Sequence, residues 1–185
     1  MNNPFRYEQA FARNIGWLTP EEQQTLRGKR VAIAGIGGVG GVHLLTLVRL
    51  GVARFNIADF DSFDIPNFNR QVGAMMSTLG QPKAEVLARM ARDINPEVDI
   101  RVFPNGVDEG NLDDFLGDAD LYVDGLDFFA FDARRQTFAR CAQLGVPATT
   151  AAPLGMGAAL LNFMPGKMTF EEYFQWGDLP DIDKA

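Results

Sequence analysis

The chain has 185 residues, of which 46% are hydrophobic and 22% charged, a composition typical of one globular domain. Its formal net charge of −7 argues against broad contact with a phosphate backbone, so DNA is not expected as a partner and an RNA substrate is disfavoured. The single cysteine excludes a disulfide framework and a cysteine-rich zinc site, and without a membrane-length apolar run or a signal-peptide core we expect a soluble, cytoplasmic protein.

Two short amphipathic helices are predicted near the N-terminus, over residues 5–14 and 20–26. The second begins at Thr19-Pro20-Glu21-Glu22, a typical helix start with a cap residue, a proline at the first position and early acids. Residues 1–29 are therefore expected to form a helical segment ahead of the main domain.

Strands and helices alternate from residue 30 onward. Apolar runs predict five strands at RVAIAG, ARFNIADF, VDIRVFP, ADLYVDG and VPATTAAP, over residues 30–35, 53–60, 98–104, 119–125 and 146–153. Helices are predicted between them over residues 41–51, 83–95, 109–118 and 133–145. This order indicates an α/β fold, Rossmann-like and doubly wound, with a mostly parallel sheet. The acidic and aromatic residues 166–185 predict no further strand–helix unit, so we expect a minimal domain or the front part of a longer one.

A glycine loop follows the first strand. Gly35, Gly37 and Gly40 form G-x-G-x-x-G between a strand and a helix, where the backbone must turn and approach a phosphate without a Cβ atom. The helix N-terminus offers free N–H groups to an anion, and Asp59 ends the next strand about 20 residues on, where an acid accepts from ribose hydroxyls. This pattern is compatible with NAD, FAD or ATP. In the structural alternative, the glycines only permit close packing of strand and helix.

The segment after this strand, DFDSFDIPNFNRQ, is more polar than a dinucleotide site requires. Arg70 carries a guanidinium fork that matches phosphate oxygens, and Asn67 and Asn69 are neutral donors suited to phosphate or ribose. Lys83 follows at a predicted helix start, where a positive charge is disfavoured and a phosphate partner would offset the cost. At the carboxyl end of a parallel sheet, these side chains would overhang a ligand crevice.

The run VDGLDFF after the fourth strand adds two further acids. Asp127 lies past the strand end, where one carboxylate could hold Mg²⁺ against phosphate oxygens, whereas Asp124 at the strand end could bond local backbone. Phe128, Phe129 and Phe131 are expected in the core or in a dimer interface rather than as a platform for stacking rings.

The motifs GIGGVG, DFDSFDIPNFNRQ, GQPKAE, INPEV and VDGLDFF, in this order, resemble the ThiF/MoeB/HesA family, the prokaryotic relatives of ubiquitin-activating (E1) enzymes. The resemblance covers about residues 11–165 and implies a nucleotide-binding Rossmann-like domain over residues 30–165, as the front part of a longer E1-like domain. It also implies ATP- and Mg²⁺-dependent adenylation of a carboxylate, with release of pyrophosphate. The acceptor in the family is typically the C-terminal glycine of a carrier protein, such as a ubiquitin-like sulfur carrier.

The same resemblance implies a role for each matching residue. The nucleotide loop matches at Gly35, Gly37, Gly38 and Gly40, the ribose-binding acid at Asp59, the phosphate-contacting set at Asn67, Arg70 and Lys83, and the metal-binding acid at Asp127. We add Asp61, Asn69 and Gln71 of the same segment to the candidate cofactor-binding residues. Arg13, in FARNI, resembles an arginine that in relatives reaches across a dimer interface to the neighbouring ATP, which implies a homodimer.

The chain departs from the family in several features. It lacks the paired C-x-x-C zinc ligands of many relatives, so no zinc is expected, and Cys141 is expected in the core rather than as a thioester-forming cysteine. The family motif D-x-x-D-N has phenylalanine in its last position here, and the turn near residue 168 resembles a ThiF-like subgroup rather than the thiamin or molybdopterin activators. The alternatives are an NAD- or FAD-dependent oxidoreductase and a nucleotide-binding scaffold without catalysis.

Overall fold

A single mixed sheet forms the centre of the computed structural model, which describes residues 5–175. Its strands are β1 (Arg30–Ala34), β2 (Arg54–Ala58), β3 (Asp99–Phe103), β4 (Leu121–Asp124), β5 (Ala148–Leu154) and β6 (Gly157–Phe163). They lie in the order β3-β2-β1-β4-β5-β6. All neighbouring pairs are parallel except β5 and β6, which form an antiparallel hairpin. The mostly parallel, doubly wound, Rossmann-like sheet predicted from the sequence is confirmed.

Seven α-helices connect or flank these strands in the described part of the chain. They are α1 (Tyr7–Ala10), α2 (Pro20–Gly28), α3 (Gly38–Arg49), α4 (Lys83–Ile94), α5 (Leu112–Leu116), α6 (Phe131–Leu144) and α7 (Phe170–Phe174). None of the helices within residues 5–175 is both long enough and apolar enough to cross a membrane. Short 3₁₀ turns occur at Ala12–Asn14, Ile65–Asn67 and Met76–Thr78.

Each face of the sheet has its own apolar core, because successive side chains of a strand point to opposite faces. Val31 and Ile33 of β1 belong to the core that includes buried residues of α3 and α4. Ala32 and Ala34 belong to the opposite core, with buried residues of α5, α6 and α7. All five residues of β1 are buried because helices cover both faces of the sheet. This arrangement explains the apolar run that follows Arg30 in the sequence.

Three features differ from the sequence-based expectation. The prediction of about five strands was wrong, because residues 157–163 form a sixth strand that pairs with β5 around a turn containing Gly155, with φ of +59°. The first helix is shorter than predicted, since α1 has four residues and a separate 3₁₀ turn follows it. In the segment 166–185, residues 170–174 form α7, while residues 176–185 lie outside the described residues.

The N-terminal segment packs against the C-terminal end of α3. The Tyr7 hydroxyl donates to Gly51 O (2.6 Å), Gln23 Nε2 donates to Leu50 O (2.9 Å) and Asn14 Nδ2 donates to the same Leu50 oxygen (3.1 Å). These side chains satisfy carbonyl groups that a helix end leaves without intrahelical partners. The predicted start of α2 is confirmed by reciprocal hydrogen bonds between Thr19 and Glu22.

The amino edge of the sheet carries an ion-pair network around one buried arginine. Arg30, at the start of β1, is fully buried and pairs with Asp99 and Asp118, with its Nε atom 3.0 Å from Asp118 Oδ2. Its Nη1 atom also donates to Asn56 Oδ1 at 3.0 Å. Buried charges require such pairing, so we assign this network to stability. Ligand sites in this fold class lie at the opposite, carboxyl edge.

Candidate active site

The candidate site lies at the carboxyl ends of β1 and β4. The chain runs outward from β1 through β2 to β3 and then crosses to β4 on the other side of β1, which makes this point a topological switch. Each turn that leaves these strands is bonded to the end of a neighbouring strand, since Gly35 N donates to Ala58 O of β2 and Gly125 N donates to Ala34 O of β1, both at 2.8 Å. Ligands bind at such switch points because neighbouring turns diverge there and leave a crevice.

Two of the loop glycines serve close packing. Gly35 has a φ of +80°, and a Cβ atom there would lie 2.2 Å from Gly125 O. A Cβ atom on Gly40 would lie 1.8 Å from Gly35 O. The turns after β1 and β4 and the first turn of α3 therefore meet backbone to backbone. Gly125 was missed by the sequence analysis, although its position as the last residue of a predicted strand was a signal.

Gly37 and Gly38 have different surroundings. A Cβ atom on Gly37 would lie 3.4 Å from Gln71 Nε2, and one on Gly38 would lie 3.5 Å from Arg70 Cγ. These glycines thus border the polar segment after β2 rather than the sheet. Gly37 is the N-cap residue of α3 and provides no side-chain cap, so the first amide groups of this helix receive no partner from it. The free helix N-terminus and the bare backbone form a cradle suited to a phosphate.

Asp59 ties this loop to the end of β2. Its Oδ2 atom accepts from Ile36 N at 2.7 Å, and its Oδ1 atom accepts from Asp61 N at 2.8 Å. Burial raises the pKa of Asp59 above its ordinary value, although these two amide donors and nearby Lys83 act in the opposite direction. Each carboxylate oxygen retains a second lone pair, so the side chain can still accept from ribose hydroxyls.

Lys83 is buried at the start of α4 and already has a partner. Its Nζ atom lies 2.8 Å from Asp61 Oδ2, and its backbone N donates to Asp61 O at 2.8 Å. From the sequence, a phosphate partner was expected to offset the cost of a lysine at a helix N-terminus. In this structure Asp61 offsets that cost, so the position of Lys83 does not by itself indicate a phosphate. The roles of Lys83 and Asp61 toward a nucleotide stay predictions.

Arg70 is exposed beside the glycine loop. Its Nη1 atom donates to Pro66 O (3.0 Å) and to Asn69 Oδ1 (3.1 Å), so Asn69 orients the guanidinium. Asn67 lies in the 3₁₀ turn before it and accepts from Asp64 N through Oδ1 at 2.9 Å. The asparagines thus shape the loop that carries Arg70.

Gln71 shows an unusual polar feature of the crevice wall. Its side chain is buried, and its Oε1 atom has no hydrogen-bond partner among the described residues. An unsatisfied buried acceptor of this kind costs about 1–3 kcal/mol. The amide group of this side chain lies beside Gly37 and so borders the cradle.

The turn after β4 contains a buried acid. Asp124 is 2% exposed, and its carboxylate accepts from Arg134 Nε (2.7 Å), Thr150 Oγ1 (2.8 Å) and Leu126 N (3.2 Å). The predicted bond from Asp124 to local backbone is confirmed. Arg134 and Thr150, which complete its surroundings, were missed by the sequence analysis because they lie on α6 and β5.

Asp127 and its aromatic neighbours lie on the surface of the same turn. Asp127 is exposed and accepts from Phe129 N through Oδ1 at 3.1 Å. Phe128 and Phe129 are 66% and 82% exposed, so their expected place in the core was wrong. Their rings pack edge to face with centroids 5.4 Å apart, and Phe131 adds a third ring. A role of these rings in a dimer interface stays a prediction.

The side chains of the crevice could hold a magnesium ion only if a bound nucleotide supplied further ligands. Within residues 5–175 no three His, Cys, Asp or Glu side chains lie close enough to hold a metal ion by themselves. Mg²⁺ commonly binds one or two carboxylates and completes its shell with phosphate oxygens and water. The exposed carboxylate of Asp127 suits that arrangement.

Two other predicted residues lie outside this crevice. Arg13 is exposed next to Asn14, which bonds the C-terminal end of α3. Because α3 has 12 residues and is roughly 18 Å long, the helix end that Asn14 contacts lies on the opposite side of α3 from the glycine loop. Cys141 is buried in α6, as expected, and burial raises the pKa of its thiol to about 12.

A model of the ThiF family matches residues 11–180. The chain belongs to the ThiF family. It is 42% identical over 90 residues to the tRNA threonylcarbamoyladenosine dehydratase of Bacillus subtilis (strain 168), covering 49% of this chain and 35% of that relative. It is 29% identical over 143 residues to the sulfur carrier protein ThiS adenylyltransferase of Escherichia coli (strain K12), covering 77% of this chain and 56% of the relative.

The ThiF-family chain also resembles solved structures. The crystal structure of the E. coli dehydratase TcdA in complex with ATP superimposes with a TM-score of 0.73 at 27% identity, covering 77% of this chain and 58% of that one. The chain spans about half the length of the relatives it matches, between 35% and 56% of the two named above. Membership of this family favours ATP over the NAD or FAD alternative.

Proposed function

We propose that this ThiF-family chain binds Mg·ATP in the crevice and adenylates a carboxylate acceptor, releasing pyrophosphate. One observation carries the proposal: a free helix N-terminus, Arg70 and Asp59 border the same opening at the switch point of the sheet. An oxidoreductase would need the loop and Asp59, but it would have no use for Arg70, Lys83 and Asp127 together. The ATP complex of the relative TcdA, with the same fold, supports the choice of nucleotide.

The proposed chemistry is a substitution at the α-phosphorus of ATP. A carboxylate oxygen of the acceptor forms a bond to this phosphorus while the bond to the bridging oxygen breaks, and the electron pair leaves with pyrophosphate. Negative charge builds between two anions, so fixed donors and cations stabilise the transition state. No general base is needed, because the carboxylate is already ionised near neutral pH.

Each crevice residue has a proposed part in this step. The amide groups at the start of α3 and the guanidinium of Arg70 would bind phosphate oxygens, and Asp59 would hold the ribose. Lys83 would contribute its charge from the position that Asp61 fixes. Mg²⁺, held by Asp127 and phosphate oxygens, would neutralise charge on the phosphates and leaving group.

The proposed acceptor is the C-terminal carboxylate of a ubiquitin-like sulfur carrier protein. The ThiS adenylyltransferase, a relative, is named for a carrier of this kind. The dehydratase relative is named for a tRNA, but the net charge of −7 on the present chain disfavours a large polyanion. We also propose a homodimer, because Arg13 lies next to Asn14 at the end of α3 opposite the glycine loop of its own chain.

Exchange of pyrophosphate into ATP tests the function. With a candidate carrier present, Arg70→Ala is expected to lower the exchange rate by about 100-fold or more, since a fixed donor to the transition state is lost. Arg89→Ala is the matched control, because Arg89 is exposed on α4 and bonds only the Gln81 side chain among the described residues. Calorimetric titrations with Mg·ATP and with NAD⁺ separate the alternatives: binding of NAD⁺ alone would indicate an oxidoreductase, and ATP binding without exchange a scaffold.

A further inference from the structure

We propose that Arg134 is a positioning residue that fixes the Asp127 loop, residues 125–130, over the crevice. Arg134 lies on α6, and its guanidinium donates to three successive carbonyl groups of this loop. Its Nη2 atom donates to Leu126 O (2.8 Å) and Asp127 O (3.0 Å), and its Nη1 atom donates to Phe128 O (3.2 Å). The role rests on the proposed function, in which Asp127 holds the magnesium ion.

The guanidinium is itself held in place. Its Nε atom lies 2.7 Å from Asp124 Oδ2, and the side chains of Arg134 and Asp124 are only 12% and 1% exposed. Thr150 Oγ1 donates to the same carboxylate oxygen at 2.8 Å, and Leu126 N donates to the other oxygen at 3.2 Å. A buried ion pair is stable when further hydrogen bonds satisfy its remaining groups, as they do here. The anchor therefore joins α6, the end of β4 and β5.

The first residues of the Asp127 loop have their own attachment, since Gly125 N donates to Ala34 O and Leu126 packs against the core. The rest of the loop depends on the Arg134 anchor, because its side chains give little support. Asp127, Phe128 and Phe129 all point to solvent, and the two rings are 66% and 82% exposed. Within the loop, Asp127 accepts from Phe129 N and Ala130 N, which shapes the turn but does not attach it to the sheet. Arg134 attaches the carbonyl side of the loop, and this leaves the Asp127 carboxylate directed outward.

Only arginine can make this set of contacts. Its planar fork presents five N–H donors in a fixed geometry, and here they serve one carboxylate and three carbonyl groups. A lysine would keep the positive charge next to Asp124 but would lose the fork that spans the loop. Arg134→Lys therefore separates the ion pair with Asp124 from the hydrogen bonds to the loop.

The test measures how much Mg²⁺ the nucleotide site requires. ATP affinity is measured by isothermal titration over a series of Mg²⁺ concentrations. In Arg134→Lys, the Mg²⁺ concentration that gives half of the full increase in ATP affinity is expected to rise about 10-fold, as for other residues that orient a metal ligand. ATP binding without Mg²⁺ should change less than about 2-fold. The matched control is Arg135→Lys at the adjacent position, where the side chain pairs with Glu171.

A double-mutant cycle tests whether Arg134 acts through Asp127. Adding Arg134→Lys to Asp127→Ala should change the Mg²⁺ requirement by less than about 2-fold, because the carboxylate that it positions is gone. If the two effects multiply, or if Arg134→Lys weakens Mg²⁺-free binding as strongly, the side chain serves the fold alone and the positioning role is wrong.

A second pair of variants applies if Arg134→Lys does not fold. Thr150→Val removes one hydrogen bond to Asp124 while leaving the guanidinium and the loop intact, so a rise of about 2-fold in the Mg²⁺ requirement is expected. Thr149→Val is its control, because that hydroxyl bonds Leu161 O instead. An unchanged requirement in Thr150→Val would overturn the role. A wild-type chain that binds no Mg·ATP would overturn the proposed function and the positioning role together, whereas unchanged variants of a binding chain overturn only the latter.

Discussion

Cys141 shows how a single residue limits the chemistry of the chain. The thiol is buried between α6 and the sheet, and burial raises its pKa to about 12 because the thiolate would lose its hydration. Thiolate is the reactive form, so a thioester-forming step at this cysteine is unfavourable near neutral pH.

Alkylation measures this protection directly. At pH 8, iodoacetamide should modify Cys141 in the folded chain about 1,000-fold more slowly than in the chain unfolded by guanidinium, because three pKa units separate about 12 from the ordinary value of 9.0. Mass spectrometry of the two time courses gives the rates. Rapid modification of the folded chain would show that the α6 face opens, and the absence of cysteine chemistry would have to be reconsidered.

The glycine loop is the element in which packing and binding are combined. Gly35 and Gly40 allow backbone contact between the turns, while Gly37 and Gly38 leave space beside Arg70 and Gln71. The two interpretations drawn from the sequence, close packing and phosphate binding, therefore apply to different glycines of one motif. Substitution of a packing glycine should damage the fold before it affects any ligand.

Gly40→Ala tests this separation. The new Cβ atom would lie 1.8 Å from Gly35 O, which is backbone and cannot move without displacing β1 or α3. We expect the free energy of unfolding to fall by about 3 kcal/mol, at the upper end for overpacking, as measured by urea denaturation. Gly28→Ala is the control, since a Cβ atom at this helical position would have no neighbour within 4 Å and should be neutral or slightly stabilising. Equal stabilities would show that the loop is less tightly packed than its geometry indicates.

The elements that could be predicted from the sequence are those with local signals. β1 is an unbroken apolar run, and Thr19 to Glu22 form a capping box, so both were predicted. β6 was missed because Gly157–Phe163 contains no charge and little alternation, and its pairing with β5 provides the order instead. One local signal was present but not used, because Gly155 precedes this apolar run and Pro165 and Gly166 follow it, and such bounds are typical of a buried strand.

The residues of the candidate site also differ in whether a local sequence signal predicts them. The residues predicted as a group lie close in sequence: they are Gly35 to Gly40, Asp59 and the segment to Gln71. The contact of Gly125 with Gly35 and the link from Arg134 to Asp124 depend on β1 pairing with β4 and on α6 packing nearby. Such contacts join distant parts of the chain, so no local pattern predicts them.

At the scale of the whole molecule, the N-terminal segment carries a predicted site residue, Arg13, that does not lie at the nucleotide crevice of its own chain. Arg13 is exposed, forms no ion pair within residues 5–175, and lies at the far end of α3 from the glycine loop. If it serves a nucleotide, that nucleotide must belong to a second chain. In a two-fold symmetric dimer the same contact would occur twice, and each site would combine Arg13 of one chain with Arg70 of the other.

Mixing two inactive variants distinguishes shared from self-contained sites. Arg13→Ala and Arg70→Ala should each lose adenylation, but coexpressed in equal amounts they should recover about a quarter of wild-type pyrophosphate exchange. The reason is statistical, because half of the dimers would be mixed and each mixed dimer would have one intact site of two. Arg70→Ala with Asp127→Ala is the control, since both residues belong to the same crevice and every mixed site would retain one defect. Recovery in the control, or none in the test pair, would contradict a site completed by the second chain.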